Sequence, residues 1–376
     1  MAEDLRALSR LAFDEVCAAA GGIEEVHLAI AERTFPPSSV PKVIHDGISR
    51  AVYASVRGAA ALAALAADSA LARRDDQPPL MTTPRGAAAL GVLNGLRGDA
   101  LEREQSPLAV PMTARGGAGS PRLAVFVHGL FESELAWHYG GGPTYGERLA
   151  ADHGLTPVYL RYNSGRRVSE NGRSLADLLA AWPLPLEQVV LVGHSMGGLV
   201  ARSACHVASE RGDEWVRHVT HVVSLGSPHT GAPLESAVHY AAAALGVLPE
   251  TQPFARFLRR RSGGIRDLRH GSLVDEDWRG RDPDALRAAA CREVPLIEGA
   301  AHHFVAATVT RSPEHPVGRL VGDWLVLHSS ASGRGRVAFE EEHGLHVGGV
   351  HHLALLNHPQ VYERLREWLA TAPRAA

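Results

Sequence analysis

The chain has 376 residues, which is enough for one large core and a smaller appended unit. Its formal net charge of −3 gives no electrostatic case for nucleic acid, and its 45% hydrophobic content is that of an ordinary globular protein. The three cysteines, Cys17, Cys205 and Cys291, are too widely spaced for a disulfide framework or a cysteine metal site.

The amino terminus has no features of a secretory signal. Residues 1–6 are acidic and lack the basic and apolar regions that such a signal needs. The most apolar stretch, residues 58–67, is short and rich in alanine, which argues against a membrane span. We therefore expect a cytoplasmic protein.

Residues 1–97 are predicted to be helical, because apolar residues recur at helical spacing. Prolines at positions 36 and 78 predict breaks between helices. We expect residues 1–100 to form a helical amino-terminal extension. It either braces the catalytic domain or makes weak contact with a membrane surface or a partner.

From residue 107 the pattern changes to that of strands. Residues 108–115 and 122–127, separated by a glycine-rich segment, predict a β-hairpin. Later strands alternate with helices, which is typical of a mostly parallel sheet covered on both faces. We expect residues 101–376 to form this α/β domain, with further strands at 156–161, 188–192, 219–225 and 302–309.

The alternation weakens between residues 234 and 300. Residues 241–247 predict a short apolar helix and residues 254–261 a basic amphipathic one. An insertion at this place can form a lid in such an architecture, so residues 234–300 are predicted to be a cap. We interpret the arginines of the second helix as a solvated face rather than an anion-binding patch.

A serine lies at a sharp turn after a buried strand. Apolar residues 189–192 lead into Gly193-His-Ser-Met-Gly197, and a helical pattern follows. Glycines at both ends of this motif allow strand and helix to approach closely, so that Ser195 is lifted clear of the sheet. A purely structural turn is the alternative, but the flanking strand and helix favour a nucleophile.

Two backbone amides are candidates for an oxyanion hole. The Met196 N–H opens the helix after the serine, and Gly129 lets the Leu130 N–H turn inward at the end of strand 122–127. A plain turn is the alternative at Leu130. Weaker candidates for the substrate pocket are Phe131, His194 and His229, since such residues are more often structural.

A serine nucleophile needs a base, and the base needs a carboxylate that orients it. Asp323, in a Gly-Asp turn after a late strand, and a histidine before the last helix give the chain order that this architecture uses. His352 is favoured over the alternative base His351, because the Leu-Ala-Leu-Leu after it anchors the loop in the core. The alternative carboxylates are Asp267, Asp275 and Asp277.

Together these motifs resemble the α/β-hydrolase superfamily, in particular bacterial esterase- and lipase-like members and the GPI inositol-deacylase (PGAP1-like) group. The resemblance covers residues 107–369 and is carried by Val127-His-Gly-Leu130, Gly193-His-Ser-Met-Gly-Gly198, Gly226-Ser-Pro-His-Thr-Gly-Ala-Pro233, Gly322-Asp323 and His352-Leu-Ala-Leu-Leu-Asn-His-Pro-Gln-Val-Tyr362. It implies an α/β-hydrolase fold and hydrolysis of an ester or lipid-like substrate without metal or cofactor.

The sequence therefore predicts a carboxylic ester hydrolase with the triad Ser195, His352 and Asp323 and an acyl-enzyme intermediate. Hydrolysis of polyesters or lipid acyl groups, and acyl transfer, are alternatives within enzymes. A hydrolase-fold protein that only binds is the alternative outside them. The complete set of serine, aspartate and histidine favours an enzyme.

Overall fold

The structure is a computed structural model that describes residues 2–73, 78–232, 245, 248–249, 251–283, 285, 290–312 and 315–371. Its α-helices are α1 Ala2–Thr34, α2 Val40–Leu71, α3 Pro84–Arg103, α4 Tyr145–His153, α5 Val168–Ala180, α6 Met196–Arg211, α7 Gln252–Arg259, α8 Gly263–Leu268, α9 Pro316–Val321, α10 His328–Ala331 and α11 Pro359–Ala370. Its strands are β1 Thr113–Gly116, β2 Arg122–Val127, β3 Thr156–Arg161, β4 Gln188–His194, β5 Val219–Leu225, β6 Ala301–Thr308 and β7 Gly344–Gly348.

The described strands form one seven-stranded sheet in the order β1-β3-β2-β4-β5-β6-β7. Every neighbouring pair is parallel except β1 and β3, which are antiparallel. Parallel neighbours need long crossover connections, and helices such as α4, α5 and α6 supply them here. The predicted mostly parallel sheet is confirmed.

The predicted hairpin of residues 108–115 and 122–127 is wrong. β1 pairs with β3, with Thr113 opposite Arg161, whereas β2 lies between β3 and β4. Residues 123–127 of β2 are all buried, as expected for an interior strand of a parallel sheet. The short β1 is partly exposed, which fits an edge position. The glycine-rich segment between β1 and β2 indicated a tight turn, but it did not indicate which strand β1 pairs with.

Side chains of the central strands alternate between two cores. In β2, Leu123 and Val125 pack into a core that includes apolar residues of α5 and α6. Ala124 and Phe126 point to the opposite core, with residues of α4 and α11. This alternation follows from the two-residue period of a strand, and it confirms helices on both faces of the sheet.

The amino-terminal region is helical, as predicted. The chain divides into two compact units, one of Met1–Ala87, Arg103–Leu108 and Ala237–Arg261, the other of Ala88–Glu102, Ala109–Ser236 and Ser262–Ala376. Most of α3 therefore belongs to the unit that holds the sheet. Two hydrogen bonds of 2.9 Å attach it there, from Asn163 Nδ2 to Gly98 O and from Val110 N to Asn94 Oδ1. The expected boundary near residue 100 lies within this helix.

Helix α2 is long and apolar. It has 32 residues, and within the described part of the chain it is the one helix that could cross a membrane by length and composition. Residues 58–67, too short for a span when taken alone, are part of this longer element. Its exposed large apolar side chains are Val40, Val43, Ile44, Ile48, Val52, Val56, Leu62 and Leu65.

The predicted cap is described only in part. The expected apolar helix at 241–247 lies outside the described residues except for residue 245. The expected basic helix corresponds to α7, in the same compact unit as α1. Arg256 and Arg260 form ion pairs with Glu25 and Glu15, and both arginines are more than half exposed. These arginines thus form a solvated, paired face.

A buried ion pair joins β3 to the segment after β2. Two nitrogens of Arg161 donate to the carboxylate of Glu134, which is only 6% exposed. Burial alone favours the neutral acid, but the hydrogen bonds from Arg161 and its charge, with smaller contributions from the surroundings, together outweigh burial and lower the pKa of Glu134. The two charges depend on each other for their stability in the interior.

Arg161→Met is therefore expected to reduce the free energy of unfolding by about 3–5 kcal/mol, because it leaves Glu134 buried without a partner. The double variant Glu134→Leu/Arg161→Met removes both charges and is expected to recover most of that loss. Denaturant unfolding of the two variants measures the difference. A double variant as unstable as the single one would contradict this account of the pair.

Candidate active site

Ser195 forms the turn between β4 and α6 in a backbone conformation that is rare for residues with a side chain. Its φ is 53° and its ψ is −122°. The Ser195 N–H donates to Leu225 O at 2.8 Å, which attaches the turn to the end of β5. Such strain is maintained only where the surrounding structure enforces it, and it is concentrated at functional sites.

Close packing around the turn requires glycine. A Cβ on Gly197 would lie 2.1 Å from Val127 O, and one on Gly193 would lie 2.3 Å from Gly198 N. On the facing loop, a Cβ on Gly129 would lie 2.9 Å from the Cβ of Ser195. The loop after β2 therefore approaches the serine as closely as a residue without a side chain allows.

Asp323 and His352 form a buried pair. His352 Nδ1 lies 2.7 Å from Asp323 Oδ2, and the His352 N–H donates to Asp323 O at 3.0 Å. The other carboxylate oxygen, Oδ1, accepts from the Leu325 and Val326 amides at 3.0 and 2.8 Å. Two backbone amides thus orient the carboxylate, and its second oxygen is left for the imidazole.

The other nitrogen of the His352 ring is available. Nε2 is buried and has no hydrogen-bond partner within the described ranges. A Cβ on Gly226 would lie 3.1 Å from His352 Cε1, so the ring lies against the end of β5. Gly226 follows Leu225, whose carbonyl binds the Ser195 N–H. With the proton on Nδ1, Nε2 carries a lone pair that can accept a proton.

The alternative residues make other contacts. The exposed His351 has its Nε2 3.5 Å from the hydroxyl of Tyr139. Asp267 accepts from Arg167 and the Val168 amide, at 2.6 and 2.8 Å. Asp275 accepts hydrogen bonds from Ser169 and Arg173. Asp277 accepts from the Leu273 and Arg292 amides.

The two expected oxyanion donors are available. Within the part of the chain that the structure describes, neither the Leu130 N–H nor the Met196 N–H donates a hydrogen bond. The amides on either side of Leu130 are occupied, since Gly129 donates to Glu132 Oε2 at 2.7 Å and Phe131 to Ser164 Oγ at 3.3 Å. Met196 begins α6, where helix amides carry partial positive charge.

The three weaker candidates lie in different surroundings. Phe131 is 38% exposed and its ring lies over α3, since a Cβ on Gly95 would come within 2.2 Å of it. His229 is buried, with Nδ1 3.4 Å from Arg202 Nη1. Burial, and then the charge of Arg202, hold the pKa of His229 well below its usual value. His194 is fully buried beside His352, so its ring is closed to solvent.

Sequence analysis missed Glu132. Its carboxylate accepts the Gly129 N–H and also binds His194 Nδ1, with Oε1 at 2.9 Å. Burial opposes its ionisation, but the charge of His194 and the hydrogen bonds from His194 and the Gly129 N–H together outweigh burial and lower the pKa of Glu132. The sequence did contain one signal for it. Glu132 is an acidic residue three positions after Gly129, and Gly129 belongs to the loop after β2 that is predicted to form part of the oxyanion hole.

The backbone strain at Ser195 can be measured without activity. Glycine adopts a positive φ without a Cβ penalty, so Ser195→Gly is expected to be more stable than Ser195→Ala by about 1 kcal/mol. Elsewhere glycine is usually the less stable of the two. Thermal and denaturant unfolding of both variants give the comparison. A Ser195→Ala protein of equal or greater stability would show that the turn is unstrained.

One family model matches part of the chain. A family model described as PGAP1-like alpha/beta domain matches residues 173–245, which include Ser195. A search of curated proteins finds no significant match.

Solved structures of three hydrolase-type proteins are similar in part. The mature lipase BlEst2 of Bacillus licheniformis shares 19% identity with a TM-score of 0.46, over 68% of this chain and 98% of that one. EstA of Clostridium botulinum shares 14%, with a TM-score of 0.41, over 69% and 89%. Mouse alpha/beta hydrolase domain-containing protein 10 shares 12%, with a TM-score of 0.40, over 69% and 92%.

The predicted fold class is confirmed by the chain's own topology. An antiparallel strand lies at one edge, parallel strands follow, and the serine turn lies directly after the central strand β4. The chain thus has the α/β-hydrolase fold, and its residues 173–245 match the PGAP1-like alpha/beta domain that its motifs resemble.

Proposed function

We propose that this protein is a serine hydrolase that cleaves carboxylic esters. The observation that carries the proposal is the buried Asp323–His352 pair, whose Nε2 is unpartnered beside the strained turn of Ser195. A serine hydroxyl becomes a useful nucleophile only when a base of this kind removes its proton. The same arrangement has no evident value for stability, because it buries an unsatisfied ring nitrogen.

In the proposed reaction Ser195 Oγ attacks the ester carbonyl while His352 Nε2 takes its proton. The Asp323 carboxylate stabilises the imidazolium that forms. The Leu130 and Met196 amides donate to the developing oxyanion. His352 then protonates the leaving alcohol, and a water activated by the same imidazole releases the acid from the acyl-serine.

Substrate access to the serine is compatible with this scheme. Ser195 retains 9% exposure although its neighbours in β4 and α6 are almost completely buried. We propose ester or lipid-like small molecules as the substrate class. An acyl-length series of nitrophenyl esters would separate an esterase from a lipase.

Ser195→Ala is expected to reduce kcat for a short nitrophenyl ester by about 10⁶-fold, since the nucleophile is lost while the fold is kept. Ser209→Ala, an exposed serine later in α6, is the matched control and should retain full activity. Initial rates with purified variants measure both. Undiminished turnover by Ser195→Ala would refute the nucleophile.

The adjacent histidines provide a sharper test of the base. His352→Ala is expected to lose activity almost as severely as the serine variant, whereas His351→Ala should stay close to the parent protein. Asp323→Asn should lose about 10⁴-fold in kcat, because the asparagine amide favours the wrong tautomer of His352. If His351→Ala were the more damaged of the two, the assignment of the base would be wrong.

A further inference from the structure

A second histidine–carboxylate pair lies beside the first. His194, the residue before the serine, has its Nδ1 2.9 Å from Glu132 Oε1. Its ring centroid is 4.7 Å from that of His352. Neither Glu132 nor His194 takes part in the proton transfers proposed above.

This second pair connects three loops of the site. The Gly129 N–H in the oxyanion loop donates to Glu132 Oε2 at 2.7 Å. His194 contacts Glu132 through Nδ1, and its Nε2 lies 3.3 Å from the backbone carbonyl of His352. A continuous series of hydrogen bonds therefore runs from the oxyanion loop through the serine turn to the loop that carries the base.

Both ring nitrogens of His194 face hydrogen-bond acceptors, one a carboxylate and the other a carbonyl. A neutral imidazole has a single N–H and can satisfy only one of them. The imidazolium donates to both. The complete series of hydrogen bonds therefore requires the protonated form of His194.

The surrounding charges favour that form. Burial alone would lower the pKa of His194, but the charge and hydrogen bond of Glu132, the His352 carbonyl and the charge of Asp323 together outweigh burial and raise it. His128, directly after β2, is buried, and burial first and the charge of His194 last lower the pKa of His128. The imidazole of His352 is also in contact with the ring.

We propose that His194, held as an imidazolium by Glu132, is a positioning residue that fixes the His352 loop and the oxyanion loop for catalysis. The inference rests on the proposed ester hydrolysis. It adds the ionisation of His194 to that of His352 as a second influence on the pH dependence of the reaction. Loss of the His194 proton leaves Nε2 as a lone pair facing the His352 carbonyl, so the base loop is released and activity falls on the alkaline side of the optimum.

The test is the pH dependence of kcat/KM for a short nitrophenyl ester in the parent protein, Glu132→Gln and Glu187→Gln. Glu187 is an exposed glutamate outside the site and serves as the matched control. The parent and the control are expected to lose at least about tenfold in kcat/KM above the optimum. Without the carboxylate, burial favours the neutral ring of His194. Glu132→Gln is therefore expected to show no such alkaline fall, whatever its absolute rate.

The outcomes are distinct. If Glu132 had only a structural role, Glu132→Gln would lower kcat/KM by the same factor at every pH and would keep the alkaline fall. That result would overturn the inference. A parent profile without an alkaline fall would overturn it as well. If the parent protein hydrolyses no ester, the proposed function itself fails.

Imidazole ¹⁵N spectra supply a readout that does not depend on turnover. The His194 resonances, assigned by their loss in His194→Gln, should show both nitrogens protonated at neutral pH in the parent protein. In Glu132→Gln they should show a neutral ring. A neutral His194 ring in the parent protein at neutral pH would exclude the positioning role, whether or not the protein is active.

Discussion

Parallel pairing of β2, β4 and β5 is the constraint on which the site depends. In their register Val127 lies beside Gly193, and His194 lies beside Leu225. Because parallel strands end at the same edge of a sheet, the segments that follow these three strands meet there. The loop that carries Leu130, the serine turn and the Gly226 loop are brought together by hydrogen bonds between backbones, independently of the side chains of the candidate site.

The buried polar groups at this edge are matched to one another. Asp323 is 1% exposed and His352 3% exposed, and burial of such groups is unfavourable unless they pair. Their hydrogen bond and the amides around Asp323 offset that cost but leave one ring nitrogen unsatisfied. Hydrophobic residues of similar volume would bury no such unsatisfied group, which agrees with the chemical role that we propose for the pair.

The sequence signals for the candidate serine turn are local. Ser195 and its glycines lie in one continuous stretch, in which a buried strand, a sharp turn and a helix each leave a pattern. Asp323 and His352 are 29 residues apart in the chain. Chain order and the apolar residues after His352 selected them as a candidate pair. In the structure His352 Nδ1 lies 2.7 Å from Asp323 Oδ2.

Features that depend on three-dimensional neighbours could not be predicted in this way. β1 pairs with β3 rather than with β2, because β2, buried over residues 123–127, takes an interior position and β1 takes the edge. Glu132 is unremarkable in sequence and becomes informative only when His194 lies 2.9 Å away. Likewise the helical pattern around residue 100 did not indicate that α3 belongs to the same compact unit as the sheet.

The central claim is that the hydroxyl at position 195 is chemically activated by its surroundings. The most direct measurement is reaction with a fluorophosphonate followed by peptide mass spectrometry. The expected result is a single phosphonyl adduct on the peptide that contains Ser195, formed rapidly in the parent protein and hardly at all in His352→Ala. An unmodified Ser195, or labelling that is equally fast without the His352 imidazole, would contradict the account.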